Sequence, residues 1–362
     1  MRGRRRPAAA VAALLAVGLA GCAPQSPGDP AFALADCAVH AVIDSRSGVA
    51  LVGIEDLAPG PDGSLILSAY DRPAVEKALR SGDPAPEGGL FLAARDAVLA
   101  GSTRATPILP KGSVTGGLRP HGIAVSGDRI AVVNRRTGSS GGLDPVILEL
   151  RLDPGAAPPG RIESIHRAAG FCALNDVAFD GDLLLATLDR ASCGRPGLAD
   201  LFPGAATGRL VEISRDGTRI AAEGFAFANG VTVTPAGLVA VAETRGRRIR
   251  LSDGRAIEVP GAPDNLSTAP DGRPDGRPDG KIVAALQPRL IRFALWRYGW
   301  LQSAPSRIVA VDPAGGAVET LFEDPSGALF AGATAAIHDG GTLIAGSVLS
   351  PGLLVCRKRA AP

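Results

Sequence analysis

Six short segments spread over about 280 residues repeat one pattern, and this repetition restricts the possible folds more than any other feature of the chain. They are Glu55-Asp56-Leu57, Pro120-His121-Gly122, Asn175-Asp176-Val177, Ala228-Asn229-Gly230, Asp264-Asn265-Leu266 and Ala331-Gly332-Ala333. Each leads into an alternating apolar run, a Gly-bearing turn and a second apolar run, as in NGVTVTPAGLVAVAE over 229–243. Period-two alternation on both sides of a tight turn makes a β-hairpin. One hairpin cannot bury its apolar face alone, so six in series must stack on one another. Stacked around an axis they form an all-β, six-bladed β-propeller, and the residues opening each inner strand converge on a central channel. Five of the six corners carry a carboxylate, an amide or an imidazole. Hard oxygens converging from separate blades make a calcium site.

The ends of the chain are read separately. Residues 1–22 combine MRGRRR, an apolar stretch from Ala8 to Leu19 and the tetrapeptide Leu19-Ala20-Gly21-Cys22. A basic start followed by a short apolar run is an export signal. The tetrapeptide resembles the bacterial lipoprotein signal, which implies lipidation of Cys22 and a membrane partner reached through that anchor. The expected location is the bacterial cell envelope, on the periplasmic side or the outer membrane in a Gram-negative cell. Residues 23–35 begin APQSPGDP and read as a flexible tether, which leaves 36–358 for the propeller. Without the four arginines of the first six residues, the 38 basic side chains fall just below the 36 acidic ones. No basic stripe remains to engage nucleic acid. Oligomeric state leaves no mark in the sequence.

Exported thiols tend to pair. Cys37 precedes the first repeat and Cys356 follows the last. A propeller ring closes by placing its N- and C-terminal strands in one blade, which brings these two cysteines together as a disulfide. Cys172 and Cys193 either bridge across one blade or remain buried thiols.

The motifs GIEDL (53–57), PHGI (120–123), LND (174–176), AEGFAFANGVTVTPAG (222–237), PDN (263–265) and AGAT (331–334), with the flanking cysteines, occur in one order. In that order and spacing the chain resembles the paraoxonase/arylesterase family, within the wider group of six-bladed calcium propellers that includes gluconolactonases. The resemblance implies two calcium ions in the channel. Glu55, Asn175, Asn229, Asp264 and Asn265 match the ligands of an upper, catalytic ion. Asp56, Asp176 and the main-chain oxygen of Ile123 match those of a lower, structural ion. Two carboxylates and three amides suit Ca²⁺ better than zinc, which prefers His or Cys, or magnesium, which demands tighter octahedral geometry.

The implied activity is calcium-dependent hydrolysis of a small, apolar carboxylic ester or lactone, with water attacking a polarised carbonyl. His121 matches the family's channel histidine and is a candidate base, with Glu55 as the alternative. The family's second histidine lies in a Val-Asn-His stretch, which here reads Val133-Asn134-Arg135. A His–His relay is therefore not expected. The competing reading is a calcium-stabilised propeller that binds a small ligand or a protein partner without turnover. His40, His166 and His338 lack metal spacing, and no GxSxG elbow points to an α/β-hydrolase. DGRPDGRPDG (271–280) reads as a solvated loop. RLIRFALWRYGW (289–300) carries Leu290, Phe293, Arg297 and Trp300 at helical spacing, as a cap over the channel mouth.

Overall fold

The computed structural model of the 362-residue chain describes residues 28–153, 155–168, 170–193, 205–268, 280–339 and 341–358. Six antiparallel sheets follow one another along the chain. Blade one contains Ile54–Pro59, Ser64–Ala69, Gly89–Ala94 and Thr103–Pro107, with Val42–Asp44 added in parallel to its outer strand. Blades two to five open with Pro120–Ser126, Leu174–Asp180, Ala228–Val233 and Ala262–Thr268, each followed by three further strands. Blade six consists of Ala333–Asp339, Thr342–Ser347, Leu353–Arg357 and the N-terminal strand Cys37–His40. The opening strands touch in chain order, and that of blade six touches that of blade one. The molecule is a six-bladed β-propeller.

The alternation that marked the hairpins now packs blade against blade. Ile66, Leu90, Ile130, Val132 and Leu148 fill the space between blades one and two, and Ala242, Ile249, Leu266 and Val309 that between four and five. At about 25 cal/mol per Å² of apolar surface, such layers are the main source of stability.

Cys37 pairs with Cys356 in strand register, and the two form a disulfide with a sequence separation of 319. Cys172 and Cys193 form a second one. The tether expected over 23–35 is packed at its end. Phe32 is fully buried against Phe322 and Phe330, and the backbone N–H groups of Ala31 and Phe32 donate to Thr320 and Leu321 of blade five. A large aromatic side chain next to an open sheet edge supplies both apolar contact and strand pairing, which a Pro/Gly-based reading misses. Cys22, the export signal and most of the 271–280 loop lie outside the described residues.

Three α-helices occur among the described residues, and none is long and apolar enough to cross a membrane. Helix α1 (Arg72–Ser81) starts where Asp71 accepts a hydrogen bond from Ala74 N and stops at Gly82, whose φ of 74° only glycine adopts at low cost. Helix α2 (Arg95–Ala100) lies in blade one, between its third and fourth strands. Helix α3 (Leu290–Arg297) is the cap expected from the 289–300 segment. It joins α1 through an Arg297–Glu76 ion pair of 2.7 Å.

A candidate active site at the channel mouth

Pairing between first and second strands slips at the same place in every blade. The slipped residues are Glu55, His121-Gly122, Asn175-Asp176, Asn229-Gly230, Asp264-Asn265 and Thr334. A bulge leaves its residues out of the ladder and re-aims their side chains. Six bulges around one axis thereby gather polar groups in a buried centre, and all of these polar side chains are buried.

The sixth corner differs from the sequence reading. The slip lies between Ala333 and Ala335, so Thr334 takes the place assigned to Ala331-Gly332-Ala333. Its hydroxyl donates to the main-chain oxygen of Glu55 at 2.8 Å. Gly332 serves another purpose. Its φ is 57°, and a Cβ there would overlap the Trp296 ring of α3, so the glycine is what lets the cap sit down.

The bulges are tied to one another across blades. The hydroxyls of Ser68 and Thr244 donate to the carbonyls of His121 and Pro263 at 2.6 and 2.7 Å. Thr187 donates to Asn229 O at 2.5 Å, and Gln287 Nε2 to Ala333 O at 2.7 Å. Each bond runs from the second strand of one blade, or from the residue just after it, to the bulge region of the next, which fixes the channel walls.

Glu55, His121, Asn175, Asn229 and Asp264 line a cavity of about 530 Å³ beneath α3. The amide nitrogens of Asn229 and Asn265 are engaged: Asn229 Nδ2 donates to Asp264 Oδ1 at 2.7 Å and to Thr244 Oγ1 at 3.1 Å, and Asn265 Nδ2 to Glu55 O at 3.1 Å. Their oxygens are not. Asn175 Oδ1, Asn229 Oδ1, Asn265 Oδ1, Gln287 Oε1 and Glu55 Oε2 are buried without a hydrogen-bond donor. Leaving one buried acceptor unpaired costs about 1–3 kcal/mol, so five in one place need a shared partner. An oxygen-only donor set of amides and carboxylates is what a calcium ion requires. No cluster of three or more His, Cys, Asp or Glu side chains with metal-binding geometry occurs among the described residues. The set that fits is mostly amide: three of its five matched residues, Asn175, Asn229 and Asn265, are asparagines.

Electrostatics point the same way. Burial pushes the Asp264 carboxyl up to about 7, and the nearby Glu55 charge adds to the effect. Burial alone would also raise Glu55, but the interaction with His121 and then the charges of Arg72 and Arg135 outweigh it and hold that carboxyl at about 2. Burial, together with Arg135, drives His121 down to about 3 although Glu55 opposes it. These directions agree only if the ring is neutral near pH 7, so Arg72 and Arg135 are the charges that keep Glu55 ionised. His121 Nδ1 lies 2.7 Å from Glu55 Oε2 and 3.0 Å from Arg72 Nη2. One ring nitrogen serves only one of them, and the angles satisfy the bond from Arg72. Accepting from Arg72 places the ring proton on Nε2, and donating to Glu55 places it on Nδ1.

Asp56 and Asp176 sit deeper. Asp56 accepts from Leu57 N at 2.9 Å and Ile123 N at 2.7 Å, while Asp176 accepts from Val177 N and Val231 N, both at 2.8 Å. Each carboxylate clips its blade to the next one. Ile123, whose carbonyl was matched to the lower ion, thus also contributes its N–H to Asp56. Burial raises both carboxyls well above the usual carboxylate range, and repulsion between the two raises Asp56 further.

Arg72, Gln287 and Thr334 were not among the sequence candidates. The remaining histidines are occupied elsewhere: His40 Nδ1 is 2.6 Å from Val98 O, His166 Nε2 is 3.0 Å from Glu149, and His338 packs edge-on against Phe32.

No family model and no curated protein matches the chain. Among solved structures, a gluconolactonase from Xanthomonas campestris is similar at 15% identity with a TM-score of 0.51, covering 93% of this chain and 99% of that one. A putative gluconolactonase aligns at 14% identity with a TM-score of 0.51, over 91% and 94% of the two chains. A luciferin-regenerating enzyme aligns at 15% identity with a TM-score of 0.50, over 90% and 94%. Likeness at this level shows the fold alone, a six-bladed β-propeller.

Proposed function

We propose that this chain is a lactone hydrolase that also accepts simple carboxylic esters, with calcium bound in the channel. The single observation that carries the reading is the group of buried amide oxygens without donors, those of Asn175, Asn229 and Gln287 in the wall of a substrate-sized cavity and that of Asn265 beside Glu55. Glu55, Asn175, Asn229, Asp264 and Asn265 would hold the upper ion, joined by Gln287. Asp56, Asp176 and the Ile123 carbonyl are proposed for a lower one. Calcium at the upper site would supply a Lewis acid for the ester carbonyl. The paraoxonase/arylesterase resemblance and the gluconolactonase neighbours support the same class.

Hydrolysis adds water across the acyl C–O bond. The water oxygen bonds to the acyl carbon, that carbon's bond to the ring or ester oxygen breaks, and the departing oxygen takes a proton to become an alcohol. With its proton on Nδ1 toward Glu55, His121 offers Nε2 as a base; with the proton on Nε2, the ring is a hydrogen-bond donor to the reacting ester. Proton removal from water is assigned to this pair, to His121 in the first case and to Glu55 beside it in the second. Helix α3 covers the cavity with Leu290, Phe293 and Ala294, which keeps bulk water off the reacting ester. The two disulfides accord with an exported protein, and anchoring through Cys22 remains part of the proposal.

The test is hydrolysis of a panel of lactones and aryl esters by the calcium-loaded protein, after EGTA, and after calcium is restored. Activity should vanish with EGTA and return with calcium. His121→Gln, which keeps a donor, separates the two cases: a loss of roughly 10²–10⁴-fold assigns the base to His121, and a smaller loss assigns it to Glu55. Turnover that EGTA does not touch would overturn the calcium-dependent reading.

A further inference from the structure

The exit of the second strand carries an arginine in four consecutive blades. Arg72 follows Ser64–Ala69, Arg135 lies at the end of Arg129–Thr137, Arg190 follows Leu183–Leu188 and Arg245 follows Val239–Glu243. All four line the cavity described above, and Arg297 of the cap joins them. The carboxylates of the same wall are Glu55, Asp189 and Asp264.

These arginines are not equally committed. Arg190 is paired with Asp189 at 2.9 Å and Arg297 with Glu76 at 2.7 Å. Arg72 is buried, its Nε has no hydrogen-bond partner, and its only polar side-chain contact among the described residues is with His121. The Arg135 guanidinium makes no hydrogen bond or ion pair among the described residues, and Arg72 and Arg135 repel each other. Two neighbouring cations, Arg72 buried and Arg135 half-buried, with Glu55 as their shared counter-charge and that carboxylate also required as a ligand, form an arrangement that lacks an anion. Guanidinium forks take planar carboxylates through paired N–H donors. A cleft dominated by one sign of charge also draws in ligands of the other.

We propose that the substrate bears a carboxylate next to the scissile lactone or ester, and that Arg135 with Arg72 receives it. This rests on the hydrolase reading and departs from the apolar ester expected from sequence. For a lactone the product is then a single hydroxy dicarboxylate, one carboxylate present from the start and one released by hydrolysis, whereas an open-chain ester splits into an acid and an alcohol.

The kinetic test compares 5-oxotetrahydrofuran-2-carboxylate with its carboxamide, which share the lactone ring and differ in charge. The wild type should favour the carboxylate at least tenfold in kcat/KM. Arg135→Gln should erase most of that ratio through KM, and Arg135→Lys should restore part of it, with melting curves confirming that both variants are folded. An oxyanion-stabilising role would instead lower kcat for both lactones alike, which overturns the proposal. Binding is measured separately by calorimetry on the calcium-loaded protein, with glutarate against its monoamide. Glutarate should bind at least tenfold tighter in the wild type and lose that margin in Arg135→Gln. Equal binding of the two, or a margin that Arg135→Gln leaves intact, overturns the proposal. If neither lactone is turned over but the glutarate margin is present, the hydrolase reading fails and the carboxylate site stands.

Discussion

Asn229→Ala should reduce hydrolysis by roughly 10²–10³-fold, the usual cost of removing one electrostatic stabiliser from a reacting carbonyl. Asn229 does two things at once. Its Oδ1 is one of the buried acceptors without a donor, and its Nδ2 donates to Asp264 Oδ1 and Thr244 Oγ1. Truncation removes one proposed ligand and also the hydrogen bond that restrains the rise of the Asp264 carboxyl. The blade itself should survive, because Thr187 grips the backbone carbonyl of residue 229 and not its side chain. The variant should therefore fold, bind calcium more weakly and turn over slowly, with partial recovery at high calcium. Initial rates as a function of free calcium check this. Wild-type rates across that range would remove Asn229 from the site.

Cys37→Ser should lower the melting temperature by roughly 3–8 °C, from a loss of about 2–5 kcal/mol. Cys37 and Cys356 face each other in strand register and join the first strand of the propeller to the last blade. A link of 319 residues in sequence restricts the unfolded chain strongly, with about 5–6 kcal/mol as the entropic ceiling. The serine would still pack beside Leu343 and Leu354, so what is lost is the restraint and not the blade's core. Melting curves of the variant and of reduced wild type, compared with the oxidised protein, measure it. Coincident curves would show that the strand pairing alone secures the ends.

Much of this architecture is written in the sequence because it repeats. Hairpin alternation and Gly turns recur six times, and the same corner residues recur with them, so Glu55, His121, Asn175, Asn229, Asp264 and Asn265 stand out without any structure. The structure adds why they converge: a bulge at one position in each opening strand. The sixth corner was misplaced because Ala331-Gly332-Ala333 imitates the motif, whereas its glycine answers to Trp296. Aligning Ala333-Thr334-Ala335 under Ala228-Asn229-Gly230 would have found Thr334. The arginines are a different case. They recur once in each of four blades at 72, 135, 190 and 245, but apart from Arg135, which stands in the Val-Asn-His position, each looks like an ordinary surface residue until the strand exits are known to face one cavity. Phe32 was hidden by its Pro/Gly-rich neighbours, since burial at a sheet edge depends on what lies across space.

The most direct test of the account is calcium binding by the intact chain, measured as metal content of the purified protein together with calorimetric titration and melting after EGTA treatment. The account predicts tightly held calcium, a melting temperature that falls on chelation and returns with Ca²⁺ but not Zn²⁺, and saturable binding that Asn229→Ala weakens. Purified protein with no calcium, no binding heat and an unchanged melting temperature would contradict it.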